Sequence, residues 1–195
     1  ATAATRKPKP PSVVAPNDDA EHFAAPAIGT DWAELGSLAD VAGGITKNQK
    51  RRSLPIKKPF LRVANVYANE LRLDDMHSIG VNSGELPNVT LQQGDLLIVE
   101  GNGSVDQLGR VAVWDGSVPE CVHQNHLIRA RPAESMIPEY IMWFLLSTHG
   151  RTCIKNVASS TSGLHTLSIS KVKKLPIPLC DTREQQEIVA QIEAD

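Results

Sequence analysis

The stretch "IVEGNGSVDQLGR" at 98–110 gathers residue types that cradle phosphates or read bases. Gly101, Gly103 and Gly109 allow close backbone approach, and Asn102, Ser104, Asp106, Gln107 and Arg110 supply polar side chains. As a nucleotide-binding loop it fails: no Gly-Lys-Ser/Thr follows its glycines, and Asp106 stands where a dinucleotide-binding turn needs its third glycine. What survives is hydrogen-bonding capacity, since amides pair with adenine edges and arginine with guanine or phosphate. A turn between two strands is the simpler account, but the loop is longer than the two residues a tight hairpin needs.

Other chemistry is sparse. Cys121, His123 and His126 in "CVHQNHL" have zinc-like spacing, but no fourth ligand cluster follows, and strand geometry would point the two histidines to opposite faces. A metal hydrolase built on them is the weakest of three readings. Cys121, Cys153 and Cys180 contain no CxxC pair, and their odd number argues for inert thiols in a reducing cytoplasm. There is no G-x-S-x-G elbow, and the carboxylates Asp95 and Glu100 are not followed by the lysine a metal-dependent nuclease would want. The chain therefore reads as a binder that leaves catalysis to something else, with neither cofactor nor metal implied.

Charge adds direction to this. The net charge is only -2, but it is segregated. Residues 41–69 hold no acid against Lys47, Lys50, Arg51, Arg52, Lys57, Lys58 and Arg62. Residues 140–180 hold none against Arg151, Lys155, Lys171, Lys173 and Lys174. A neutral protein arranged this way can present a basic face to a polyanion. The longest apolar run, "YIMWFLL", is far short of the roughly 20 residues that span a bilayer, so no membrane is implied.

The elements that must position these residues are short. Residues 1–28, with "KPKPP", read as a Pro/Ala-rich linker or disordered tail. Asp31 and Glu34 suggest a cap for a short helix or turn ending at Gly43 and Gly44. Strands are expected in 60–73, at 95–100, from 109 and at 126–131, and a buried helix over 138–154 opening at Pro138. A brief helix at 168–174 precedes chain kept extended by Pro176 and Pro178. Thr182 and Gln185 form a capping-box pattern for an amphipathic helix carrying Ile188, Val189 and Ile192 on one stripe. The fold class is α+β: a single mixed domain with a twisted, largely antiparallel sheet and a few helices, followed by the start of a long amphipathic helix.

Four segments, "PFLRVANVYANELRL", "LQQGDLLIVEGNGSVDQLGRVAVW", "VHQNHLIRARP" and "LSISKVKKLPIPLCDTREQQEIVAQIE", occur in an order and spacing that resembles the target recognition domain of the type I restriction-modification DNA specificity subunit. The resemblance implies a recognition domain over 29–180 and the start of a spacer helix at 181–195. It implies a non-catalytic, cytoplasmic module that reads one half of a bipartite double-stranded DNA target and directs methyltransferase and restriction subunits. A single domain with a linker-like beginning suggests the C-terminal half of a full subunit; a natural half-subunit is the competing view. Carried over segment by segment, the candidate DNA contacts are Lys47, Lys50, Arg51, Arg52, Lys57 and Lys58 for phosphates. Asn65, Tyr67, Asn102, Ser104, Gln107, Arg110, Gln124, Asn125, His126, Ser160 and Ser162 are the candidates among loops and base-reading side chains. Ile188, Val189 and Ile192 are candidates for partner contact, including self-association of two copies. The rival class is a non-catalytic protein-interaction scaffold whose basic segments only keep it soluble.

Overall fold

A computed structural model describes residues 31–161 and 163–194. The expected linker over 1–28 and the candidate Ser162 lie outside the described residues. The chain begins with β1 (Trp32–Glu34), one helical turn α1 (Leu35–Leu38) and β2 (Ala39–Ala42), so the helix expected after Asp31 shrinks to a single turn between strands. There follow β3 (Ile56–Leu61), the two-residue strands β4 (Val66–Tyr67) and β5 (Glu70–Leu71), β6 (His77–Val81) and the turn of helix α2 (Leu86–Val89). Next come β7 (Leu96–Val99), β8 (Gly101–Asn102), β9 (Val111–Val113), β10 (Val122–His123) and β11 (Leu127–Pro132). The last third holds α3 (Pro138–Leu146), α4 (Thr148–Val157), β12 (Ser159–Thr161), β13 (Leu164–Thr166), α5 (Ile169–Lys173), β14 (Pro176–Pro178) and α6 (Thr182–Ala194).

The architecture is mixed α+β, and its pairings are antiparallel except for β10 beside β3, among the described residues. They are divided over five small sheets. The central one has the order β2-β11-β7-β9. Its β7, Leu-Leu-Ile-Val, is buried at every position. Alternation sends Leu96 and Ile98 to one face, with Val111, Ile128 and helix α3, and Leu97 and Val99 to the other, with Trp114, Leu61 and Cys121. A sheet covered on both faces explains why this strand reads as a continuous apolar run rather than an alternating one.

The single helix expected over 138–154 is two. Ser147 is extended and its hydroxyl accepts from the Gly150 N–H at 3.1 Å, which starts a new helix. Gly150 packs so closely that a Cβ there would lie 2.0 Å from the Phe144 carbonyl oxygen, so only glycine lets α4 turn back on α3.

Helix α6 starts on Asp181, whose carboxylate accepts from the Glu184 N–H at 2.8 Å, one residue before the expected Thr182 cap. Gln185 does not complete a capping box. It is fully buried, accepting from the Ile137 N–H at 2.8 Å and donating to the carbonyls of Ser135 and Cys180, and so bolts α6 to the start of α3. The partner-facing stripe is corrected accordingly: Ile192 is buried, and Ile188 and Val189 are half-buried against the same core. An amphipathic stripe has to cover apolar surface, and here its own domain supplies that surface.

One buried charge ties the central sheet to the turn that feeds it. Asp95, with no exposure, accepts from Arg131 Nε at 2.7 Å and Nη2 at 2.8 Å and from the Gln92 N–H at 2.8 Å. Beside it Arg129 donates to Asp40 at 2.6 Å. Asp95→Ala would strand Arg131 at the sheet and open the 92–95 turn; urea denaturation should show a loss of about 3–5 kcal/mol.

Candidate nucleic-acid interface

The loop at 101–109 is more than a turn. After β7 the chain crosses to a different sheet, where β8 pairs with β13, and β13 pairs with β12. This places Asn102, His165 and Ser160 in one row across three strands. The Asn102 carboxamide accepts from the Ser104 N–H at 2.9 Å in a local Asx turn. The rest of the loop is held from behind by α4: Arg151 donates to the Val105 and Asp106 carbonyls at 3.2 and 3.1 Å, and Lys155 pairs with Asp106 at 3.0 Å. Gly109, at φ +67°, turns the chain back into β9.

Beside this row the 124–126 turn closes a concavity of about 740 Å³. Its walls are Glu100 and Gly101 from the end of β7, Gln124 and His126 from the turn, Ser159, Leu164 and Thr166 from the β12–β13 hairpin, and Ser168 and Lys171 from α5. Lys171 Nζ donates to Ser159, and His126 Nδ1 lies 2.7 Å from Glu100 Oε2. The loop that opens at Gly101, the 124–126 turn and the strand at 159–161, distant along the chain, thus meet at one hollow. Thr166, Ser168 and Lys171 also line it, all within the acid-free run at 140–180, and Ser168 and Lys171 within the "LSISKVKKLPIPL" segment as well.

The remaining candidates divide by what already occupies them. Asn65 is 3% exposed and spends both ends of its amide on backbone, accepting from the Arg62 N–H at 2.9 Å and donating to the Arg72 carbonyl at 2.8 Å. It is a structural residue, not an available contact. The Tyr67 ring already carries the guanidinium groups of Arg72, 4.0 Å from its centre, and Arg110, at 5.0 Å. Arg110 itself is half-buried and donates to Gln107 at 3.3 Å, which engages both. Gln124 accepts from the Val63 N–H at 3.3 Å and lines the concavity.

In "NQKRR" the side chains part company. Asn48 caps a 3-10 turn over Gln49–Ser53. Arg51 forks onto Glu85 at 2.8 and 3.0 Å and donates to the Thr46 and Gly80 carbonyls. Gly80 has to be glycine, since a Cβ there would fall 1.9 Å from the Arg51 carbonyl oxygen. Lys57 donates to the Arg52 carbonyl at 2.8 Å, and Lys58 pairs with Glu120. These three cations are tied to the fold. Lys47, Lys50 and Arg52 are exposed and make no side-chain hydrogen bond or ion pair among the described residues. Ile45, two residues before Lys47, bridges to Gln124, and its carbonyl accepts from the Asn125 N–H at 3.1 Å.

The zinc-like spacing separates into unlike environments. His123 is fully buried, where desolvation, seconded by Arg129 and Arg131, pushes its pKa down to about 3 and keeps the ring neutral. Burial pushes the Cys121 thiol up to about 12, while His126 is exposed and faces Glu100. Among the described residues no group of three or more His, Cys, Asp or Glu side chains is placed to hold a metal ion.

The family model for the type I restriction modification DNA specificity domain matches residues 30–194. The chain belongs to that family. The specificity subunit of the type I restriction enzyme EcoKI from Escherichia coli (strain K12) is 31% identical over 161 residues, covering 80% of this chain and 33% of the relative. That of StySPI from Salmonella potsdam is 26% identical over 168 residues, covering 85% and 36%. The chain therefore spans about a third of the length of these curated relatives. In fold it is similar to the HsdS subunit from Thermoanaerobacter tengcongensis, with TM-score 0.60 and 19% identity over 88% of this chain and 38% of that one.

The Arg51–Glu85 fork that binds "NQKRR" to this specificity domain has a pH signature. Arg51, with help from the Asn82 N–H, pulls the Glu85 carboxyl down from 4.5 to about 2. A carboxyl whose folded pKa is depressed stabilises fully above its unfolded value and loses that effect as pH falls through the folded one. Glu85→Gln should thus cost on the order of 1 kcal/mol at neutral pH, after solvent screening of a partly exposed pair. The gap from wild type in urea midpoint should narrow at pH 3 and close only below about pH 2.

Proposed function

We propose that the chain is a sequence-specific double-stranded DNA recognition module that reads one half of a bipartite target. It performs no chemistry itself and directs methyltransferase and restriction subunits to that site in the cytoplasm. The observation that carries this reading is the convergence of β8, the 124–126 turn and the β12–β13 hairpin on one concavity, in a chain that also exposes the uncommitted cations Lys47, Lys50 and Arg52. Side chains on strand ends and turns, backed by a two-sided core, are held firmly enough to read base edges. The specificity-subunit names of the relatives support the same assignment. None of the described helices is long and apolar enough to cross a membrane.

Within this reading Asn102, Ser104, Gln124, Asn125, His126 and Ser160 are base-edge or sugar contacts, and Lys47, Lys50 and Arg52 phosphate contacts. Residues 29–180 form the recognition domain, and α6 from 181 begins a spacer toward the methyltransferase subunits. Since the apolar stripe of α6 covers its own core, docking and any pairing of two copies fall to its exposed face, which carries Arg183, Gln186, Glu187 and Ala190.

The test is titration of labelled duplexes at several salt concentrations, with the methyltransferase partner present. Binding should fall steeply with salt, and replacing Lys47, Lys50 and Arg52 by alanine should flatten the log-log slope by about 0.9 per lost phosphate contact without lowering the melting temperature. Arg51→Ala should do the reverse. Absence of salt-sensitive, sequence-dependent binding would leave the scaffold reading in its place.

A further inference from the structure

A carboxylate is an odd neighbour for DNA. Glu100 is the only acidic side chain among the described residues lining the concavity, whose other polar side chains are those of Gln124, His126, Ser159, Thr166, Ser168 and Lys171. It would repel any phosphate brought near it, so it is misplaced in a site that merely grips the backbone.

Its position is nevertheless firmly built. The Glu100 N–H donates to the His126 carbonyl at 3.0 Å, and its own carbonyl accepts from the Leu167 N–H at 2.7 Å, where Leu167 is 1% exposed. The side chain is oriented in turn. An ionised carboxylate only accepts, so in the neutral imidazole His126 Nδ1–H donates to Oε2 at 2.7 Å, and Nε2 is left as acceptor facing Asn125 Nδ2 at 3.5 Å. Oε1 has no hydrogen-bond partner among the described residues, and the side chain is 31% exposed toward the hollow. A fixed acceptor, pre-oriented by a histidine and an asparagine, is what recognition of a donor requires.

Resting on the DNA-reading function proposed above, we infer that Glu100 is a specificity-determining residue that accepts a hydrogen bond from an exocyclic amine in the major groove, the N4 amine of cytosine or the N6 amine of adenine. At the same place thymine would present O4 and guanine O6, both acceptors, against the carboxylate. One strand position of the target is therefore restricted to cytosine or adenine by attraction to the amine and by repulsion of the carbonyl, and that repulsion is the more discriminating of the two.

The experiment is competition binding of the full-length subunit, assembled with methyltransferase subunits, on duplexes varied through all four bases at each target position. Wild type should prefer cytosine or adenine over thymine and guanine at one position by about tenfold. Glu100→Gln keeps the shape but can present its NH₂, so it should abolish or invert that preference there and leave the other positions unchanged. Two results overturn the inference while the DNA-reading function stands: a preference profile identical to wild type, or uniform weakening on all sequences, which would make Glu100 only a prop for the 124–126 turn. No sequence preference in wild type at any position would defeat the DNA-reading function itself.

Discussion

Asp95 is a carboxylate without solvent exposure, onto which Arg131 forks and which the Gln92 N–H caps. Removing such a charge from water costs several kcal/mol, and the geometry has to return it. What this fixes is register. Arg131 sits on β11 and Asp95 immediately precedes β7, so the pair sets Leu127 opposite Val99 and Ala130 opposite Leu96. A slip by one residue would turn Leu96 and Ile98 off the helix-covered face and would also part Glu100 from His126. The site is thus an extension of the central sheet: its acid and its histidine stand one residue beyond the last paired positions of β7 and β11.

The same accounting separates cations that hold the fold from cations left for a partner. The segment 47–58 carries six basic residues, which as charge alone looks uniform. Arg51, Lys57 and Lys58 are bound to Glu85, to backbone carbonyls and to Glu120, while Lys47, Lys50 and Arg52 stand in solvent. Arg51 in particular fastens the 3-10 turn against Gly80 of β6, so the fixed cation presents the free ones. A near-neutral protein can leave cations exposed by this division, because part of its acid is paired with the cations that hold the fold.

Legibility followed from how local each signal was. β7 and β11 were legible because apolar runs of strand length between turn residues have few alternatives, and α5 and β14 because Ser168 caps one and two prolines extend the other. The break at Ser147 was not, because the "YIMWFLLSTHG" period continues through it and the decisive contact is Gly150 against the Phe144 carbonyl. In α6 the amphipathic stripe was visible, but which surface it covers is a tertiary fact. At the site, residue type marked Asn102, Gln124 and His126, yet it could not separate Asn65, whose amide is consumed by backbone, from Asn102, whose NH₂ is free. Glu100 was legible only as a failed nuclease carboxylate, because its meaning depends on His126, which is 26 residues away in sequence and 2.7 Å away in space.

The division between backing and reading surface has a further physical consequence. Asn102, Ser160 and His165 lie in register across three short strands whose backbone groups pair with one another, while Leu108, Leu167 and Ile154 belong to the buried core. Their side chains project from a framework that is satisfied without them. Exchanging such residues should alter stability by only about 0.5 kcal/mol either way, while each change of donor or acceptor rewrites what the surface can pair with. Asn65, Arg51 and Asp95 have no such freedom, since each closes a backbone or charge balance that nothing else in the fold can meet.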